Sequence, residues 1–245
     1  MIFYLGTDIL KHAQYIDYCF ISVHRLPKYK SKVFHPNKWI LDSGAFTEIS
    51  KFGKYNNPVD DYAGRINHWK DCGNLELAVT QDYMCEQSML QKTGLTVIDH
   101  QQLTIERYDN LIKLTDVPIL PVLQGYQPHE YVNCLKLYGD RLEYGMRVGV
   151  GSVCKRNKEV QSIVSVLEAI KTQRPDLKLH GFGLKTTPLK NAYIESMLYS
   201  ADSMAWSFAA RYNGGDRHGL FEALHFKNDI ETKKGTTPNQ MVLTL

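Results

Sequence analysis

The sequence predicts an α/β fold and, within that class, a single (β/α)8 TIM-like barrel. Three observations carry this prediction. Eight short apolar runs recur along the chain, each bounded by turn-forming residues. Helical stripes separate most of them. The length of 245 residues suits a barrel, which uses about 250 residues as one unit. Near-continuous apolar strands alternating with helices indicate a parallel sheet covered on both faces. A doubly wound open sheet is the alternative built from the same parts.

The strands follow in order. Residues 2–6 (IFYLG) form a short run closed by glycine, and residues 18–23 (YCFISV) a second. Residues 39–44 (WILDSG) and 75–82 (LELAVTQD) begin apolar and end polar. The same holds for 117–125 (VPILPVLQG), 144–151 (YGMRVGVG), 177–183 (LKLHGFG) and 200–206 (SADSMAW). Residues 25–38 are too polar and proline-broken for a helix and read as an extended loop. Among the helices, Tyr131, Cys134, Leu135 and Tyr138 repeat at helical spacing between Pro128 and Gly139, the expected punctuation of a start and a stop. Val160, Ile163, Val164, Leu167 and Ile170 form a second stripe, and Ile98, Ile105, Tyr108 and Ile112 a third. Residues 60–69 and 189–198 complete the set. With no linker, repeat or low-complexity tract, the barrel is expected over 1–212. A helical or irregular extension over 213–245 would pack on it.

Composition removes several classes of function. Lys plus Arg is 29 against 26 Asp plus Glu, a net charge of +3, so a wholly basic nucleic-acid binder is excluded while a basic patch is not. With 43% hydrophobic and 22% charged residues, the chain is globular rather than disordered. No run approaches the roughly 18 apolar residues of a membrane span. The N-terminus lacks signal-peptide features, so a cytoplasmic location is expected. Cys19, Cys72, Cys85, Cys134 and Cys154 are scattered with no Cys-x-x-Cys pair, as expected of reduced, buried thiols and not of a zinc site.

The strand ends are the informative part. Asp42-Ser43-Gly44, Gln81-Asp82, Gln124-Gly125, Gly149 to Ser152, His180 to Gly183 and Asp202-Ser203 all close apolar runs. In a barrel these ends converge on one face, where active sites sit. Carboxylates and amides placed there need a partner or a ligand.

The phrases LDSGAFTE, QDYMCE, VLQG, VGSVC, LHGFGLKT and ADSMAWSFAAR carry a resemblance to the tRNA-guanine transglycosylases. The chain is more similar still to their shorter relatives, the deazapurine-DNA transglycosylases (DpdA-like proteins), over residues 2–212. The resemblance implies exchange of guanine in DNA for a 7-deazaguanine through a covalent aspartyl-glycosyl intermediate. On this resemblance Asp42 transfers protons and Phe46 stacks on the base. Asp82 reads its N–H edge, and Gln124, with Gly125, its carbonyl edge. Gly149, Gly151 and Ser152 form the turn over the 7-substituent, while His180 and Gly181 fall on the other stacking wall. The tRNA enzymes carry two aspartates three residues apart on the last strand, the second being the nucleophile. Here Asp202 holds the first place and Ala205 the second. Asp202, the carboxylate of that strand, is therefore expected to be the nucleophile. The family's zinc ligands have no counterpart, since residues 212–245 contain no cysteine and His218 and His225 do not suffice. No metal and no cofactor are expected beyond the deazaguanine co-substrate.

DNA is the expected macromolecular partner, with its guanine flipped out or in a single strand. Helper proteins of a DNA-modification system could open the duplex, and no membrane is involved. Lys28, Lys30, Lys32, Lys155, Arg156, Lys185 and Arg211 would meet phosphates, as would Arg25, Lys38, Lys158, Lys190 and Arg217. Tyr29, Phe34 and Tyr212 would stack on bases. Three other readings remain at this point. They are the same exchange on tRNA, an N-glycosidase, and an inactive barrel that binds nucleic acid or a nucleobase.

Overall fold

A computed structural model describes residues 1–27, 34–157 and 159–232. Lys28, Tyr29, Lys30, Lys32 and Lys158 lie outside the described residues. Nine strand segments form one all-parallel sheet: β1 (Ile2–Gly6), β2 (Tyr18–Ser22), β3 (Lys38–Asp42), β4 (Asn74–Val79), β5 (Ile119–Leu120), β6 (Val122–Leu123), β7 (Arg147–Val150), β8 (Lys178–Gly181) and β9 (Leu198–Ser203). Their spatial order is β5-β4-β3-β2-β1-β9-β8-β7-β6. The ends of that series, β5 and β6, are one stretch of chain interrupted at Pro121, which has no N–H to give. Leu120 C=O accepts from Thr80 N–H at 3.1 Å, and Pro121 C=O accepts from Gly149 N–H at 2.8 Å. The interrupted strand thus bonds β4 on one side and β7 on the other. Nine segments make eight staves of a barrel.

Side chains alternate along the strands. Tyr4, Ile40, Leu77, Val79, Leu120 and Val122 fill the barrel interior, joined by Tyr18, Phe20 and Phe182. Phe3, Leu5, Cys19, Ile21, Trp39, Leu41, Val148 and Leu179 face outward into a larger core beneath the helices. That outer layer contains α2 (Val59–Trp69), α4 (Val97–Leu114), α5 (Pro128–Tyr138), α6 (Val160–Gln173) and α8 (Ala192–Met197), with a short α7 (Thr186–Leu189) before it. Local signals set their ends. Thr96 and Asp99 close a capping box at the start of α4, and Pro128 occupies the first turn of α5, which stops at Gly139 (φ 54°).

Three helices lie where the sequence shows no stripe long enough to read: α1 (Ala45–Phe52), α3 (Gln87–Thr93) and α9 (Ala205–Tyr212). The eighth strand therefore ends at Ser203, and the expected strand residues Ala205 and Trp206 begin a helix. Trp206 donates its indole N–H to Gly6 C=O at 2.8 Å, which ties α9 to β1. A last helix, α10 (Leu220–Thr232), buries Ala223 and Ile230 and sets Phe226 beside Phe3, ring centres 6.1 Å apart. No helix among the described residues is long and apolar enough to cross a membrane.

Two expectations for the second loop are corrected here. Phe34 is fully buried between Trp39 and Trp69 and stacks on no external base. Lys38 opens β3 beside Tyr18 and so lies at the opposite end of the barrel from the polar strand ends.

Candidate active site

The C-terminal ends of the strands surround a cleft of about 660 Å³. Asp42, Phe46, Asp82, Gly151, Ser152 and Asp202 line it together. Residues that are far apart in sequence, from the ends of β3 and β9, the segments just after β4 and β7 and the start of α1, thus open on one space. Phe20, Phe182, Met84, Met204, Asp8 and Glu86 complete much of the lining.

Asp202 lies on β9, paired directly with Tyr4 of β1. Its Oδ1 accepts from Gly183 N–H at 3.1 Å and meets His180 Nε2 at 3.2 Å. His180 Nδ1 lies 2.9 Å from the Ser200 hydroxyl. The carboxylate is therefore fixed by a backbone donor and by an imidazole that is itself anchored. His180 is buried and does not line the cleft. Its ring stacks on Phe20 with centres 5.7 Å apart and meets Phe182 edge-on at 4.8 Å. The structure thus places His180 beneath the cleft, against Phe20 and Phe182, and not on the cleft wall. Ala205, three residues on, starts α9 and does not line the cleft.

Asp42 ends β3, and its Oδ2 accepts from Gly44 N–H at 3.2 Å. That N–H is presented by a left-handed glycine (φ 75°) at the start of α1. Burial, and then the neighbouring Asp202 charge, raise its pKa to about 6, against the opposing pull of Gly44, Ser22 and His24. Asp82 is pushed higher, to about 7, by burial and then by Asp42. Its side chain takes a hydrogen bond from the Gln124 amide. Gln124 is itself fully buried, with its backbone carbonyl held by the Gln101 side-chain amide at 2.7 Å. Ser152 donates to Gln124 Oε1 at 3.1 Å and accepts from Cys85 N–H at 3.0 Å. It does so in a left-handed backbone conformation (φ 58°) that is uncommon outside glycine. Asp82, Gln124 and Ser152 therefore form one continuous hydrogen-bonded floor.

The glycines have a packing reason. A Cβ at Gly151 would strike the Gln124 amide, and one at Gly149 the Phe182 ring. Gly125 backs onto Glu130 and Tyr131, and Gly181 onto Leu184. Of the four only Gly151 lines the cleft. The missing side chains make room for the protein's own groups.

The basic residues divide. Lys155 is exposed and its ammonium lies 4.7 Å from the centre of the half-exposed Phe46 ring at the rim. Lys185 sits 5.7 Å from the exposed Phe208 ring, and Arg211 is exposed on α9 beside Tyr212, which is 85% exposed. Arg156 is buried, packed 4.2 Å from the Tyr126 ring and bonded to Ser162 and to Tyr126 C=O. Its two terminal nitrogens are thus engaged inside the protein, while its Nε is buried with no hydrogen-bond partner.

Sequence reasoning passed over Glu86, Phe20, Phe182 and Ser200. Glu86 stood inside the phrase QDYMCE and was visible. Phe20 was hidden because an aromatic in an apolar strand does not declare which face it takes.

The raised pKa of Asp82 has a measurable consequence. Its folded-state proton affinity exceeds the ordinary carboxylate value of 3.8, so the folded state binds more protons than the unfolded one between those pH values. Stability is greatest below pH 4 as far as this group is concerned, and it is lost as pH rises through 7. Asp82→Asn removes the buried charge and keeps an acceptor for Gln124. It should stabilise the protein at pH 8 by on the order of 2 kcal/mol, with the gain vanishing near pH 4. Urea midpoints at the two pH values check this, and equal midpoints for variant and wild type at pH 8 would contradict it.

A search of curated proteins finds no match to the chain. The family model described as DpdA, DeoxyPurine in DNA protein A, matches residues 2–220. That span runs from β1 to the start of α10 and includes every carboxylate of the cleft. With its barrel, its converging strand ends and this match, the chain belongs to the DpdA family.

Proposed function

We propose that this protein exchanges guanine in DNA for a 7-deazaguanine base. One observation carries the reading. Two carboxylates, Asp42 and Asp202, open on a single cleft together with a third, Asp82, whose oxygens can accept from the N–H edge of a guanine.

The chemistry balances on these groups. An Asp202 oxygen attacks C1′ of the deoxynucleotide, and the C1′–N9 bond breaks with its electron pair going to the purine. Asp42 supplies the proton that guanine carries away at N9. The incoming deazaguanine returns a proton from its own N9 to Asp42 and attacks C1′, and the Asp202 carboxylate is released. One hard displacement becomes two easier ones, with a single group serving as acid and then as base. The logic is that of a retaining glycosidase. No cofactor is consumed, and the deazaguanine is a co-substrate. Asp82, when ionised, would accept the two N–H groups of the base, and the buried Gln124 amide beneath it, bonded to Asp82 and Ser152, holds that carboxyl in position.

The target base must leave its stack for C1′ to be reached. Phe46 at the rim, with the Lys155 ammonium against its ring, offers a stacking surface beside a phosphate contact. Lys185, Phe208, Arg211 and Tyr212 would continue that surface along α9.

The test incubates the protein with guanine-containing DNA, with tRNA and with a 7-deazaguanine bearing a nitrile or aminomethyl group, followed by nucleoside mass spectrometry. Deazaguanine recovered as a deoxynucleoside is the expected result. Recovery only as a ribonucleoside would replace DNA by tRNA as the substrate. Free guanine without incorporation would make the protein an N-glycosidase, and no reaction with either nucleic acid would leave a binding barrel.

A further inference from the structure

The helix that follows the Asp202 strand turns two aromatic rings outward. α9 buries Trp206 and Ala210 on one face. Phe208 and Tyr212, four residues apart on the opposite face, are 68% and 85% exposed. Met204, four residues before Phe208, lines the cleft. The aromatic face is therefore continuous with the mouth of the site. Single exposed apolar residues are ordinary on a protein surface. Two rings in line, leading out of a cleft, on a helix whose inward face is already packed, make an unpartnered ridge.

Charge and spacing say what would cover it. The Lys185 ammonium lies 5.7 Å from the centre of the Phe208 ring, and Arg211 is exposed on the flank of the same helix. No residue of α9 is acidic. Rings interleaved with cations suit a polyanion that also presents flat faces, which is a nucleic-acid strand. An acidic peptide or a lipid surface brings the charge without the faces. Residues four apart on an α-helix are separated by about 6 Å along its axis. Successive bases of a duplex strand rise only about 3.4 Å and cover one another's faces. Two neighbouring bases can sit one on each ring only after they have come apart.

Resting on the function proposed above, we infer that the Phe208–Tyr212 ridge holds two unstacked bases beside the target guanine, and that single-stranded DNA is therefore the substrate. The guanine enters the cleft past Met204. The next two bases of the strand lie on Phe208 and Tyr212, and Lys185 and Arg211 meet the phosphates that join them. The ridge touches neither C1′ nor the departing base. It sets affinity and the choice of single strand over duplex, and it leaves the chemical step to the carboxylates.

The test reads binding and needs no turnover. The full chain is titrated into a fluorescein-labelled single-stranded DNA oligonucleotide with one guanine, followed by fluorescence anisotropy at fixed salt. The double variant Phe208→Ala with Tyr212→Ala should bind on the order of 10²-fold more weakly than wild type, since each base–ring stack contributes separately. Phe208→Tyr with Tyr212→Phe keeps both rings and should bind as wild type does. Abasic sites in place of the two bases on one side of the guanine, tried on each side in turn, should weaken the wild type by a similar factor on one of them. They should weaken the alanine variant no further. The same sequence as a blunt duplex should bind the wild type more weakly and should not sense the substitutions. Unchanged binding by the alanine variant, an equal loss with flanking bases present or absent, or a duplex bound as tightly as the single strand overturns the ridge. Nucleoside mass spectrometry on the same mixtures with a 7-deazaguanine added keeps the two readings apart. The expected binding pattern without any exchange overturns the proposed function and leaves the ridge standing, and exchange without that pattern does the reverse.

Discussion

Asp202→Asn should leave a folded barrel that no longer captures DNA. In the wild type, omission of the incoming base should allow a covalent protein–DNA species to accumulate, visible as a shifted band under denaturing conditions. The variant should show none, and its exchange rate should fall by roughly 10⁴-fold or more, the scale seen when a nucleophile is removed. The expectation rests on the position of Asp202 at the end of β9, between Gly183 N–H and His180. Asparagine keeps an oxygen for the Gly183 donor, so the local fold has no reason to move. The result also decides between the two carboxylates. Trapping that survives Asp202→Asn and disappears in Asp42→Asn would assign the attack to Asp42.

Asp42→Asn should change the pH profile as well as the rate. In the proposed exchange the first step would need Asp42 protonated, and its pKa is raised to about 6 by burial and by Asp202. Base reading as proposed would need Asp82 ionised, and its pKa is raised to about 7. The wild-type kcat/KM should therefore be bell-shaped, with its maximum between those values and its limbs belonging to the interacting pair. Loss of Asp42 should remove the alkaline limb and lower activity by roughly 10²–10⁴-fold at the former maximum. The acid limb should also move to lower pH, because the Asp42 charge is the second cause holding Asp82 up. A variant profile that keeps its alkaline limb would take the acid role away from Asp42.

Much of this was legible from residue order alone, for physical reasons that can be stated. Buried parallel strands are apolar throughout, so the eight runs stood out, and the polar residues that end them marked the open face. The long helices announced themselves through stripes such as Val160 to Ile170. Helices of seven or eight residues, such as α1 and α3, hold too few turns to repeat a stripe, and they went unread. Side-chain direction was the other gap. His180 follows Leu179 in a strand, and only the ladder with β9 shows that its ring turns inward to Ser200 and Asp202. Lys38 was assigned to the wrong end because the loop before it was read as longer than the strand boundary allows. Arg156 and Phe34 looked like surface residues by type, but packing against Tyr126 and between two tryptophans takes them inside.

The interruption at Pro121 matters beyond topology. Backbone bonds between the fourth and fifth staves stop at Thr80 and Leu120, and β6 has no ladder partner on that side. Past that point the two staves are joined by a side-chain bond, Gln124 to Asp82. The carboxyl that would grip a base, Asp82, is thus also one half of the stitch that holds the sheet shut at its seam. A purine that donated hydrogen bonds to the Asp82 carboxyl would therefore compete with the side-chain bond that closes this seam.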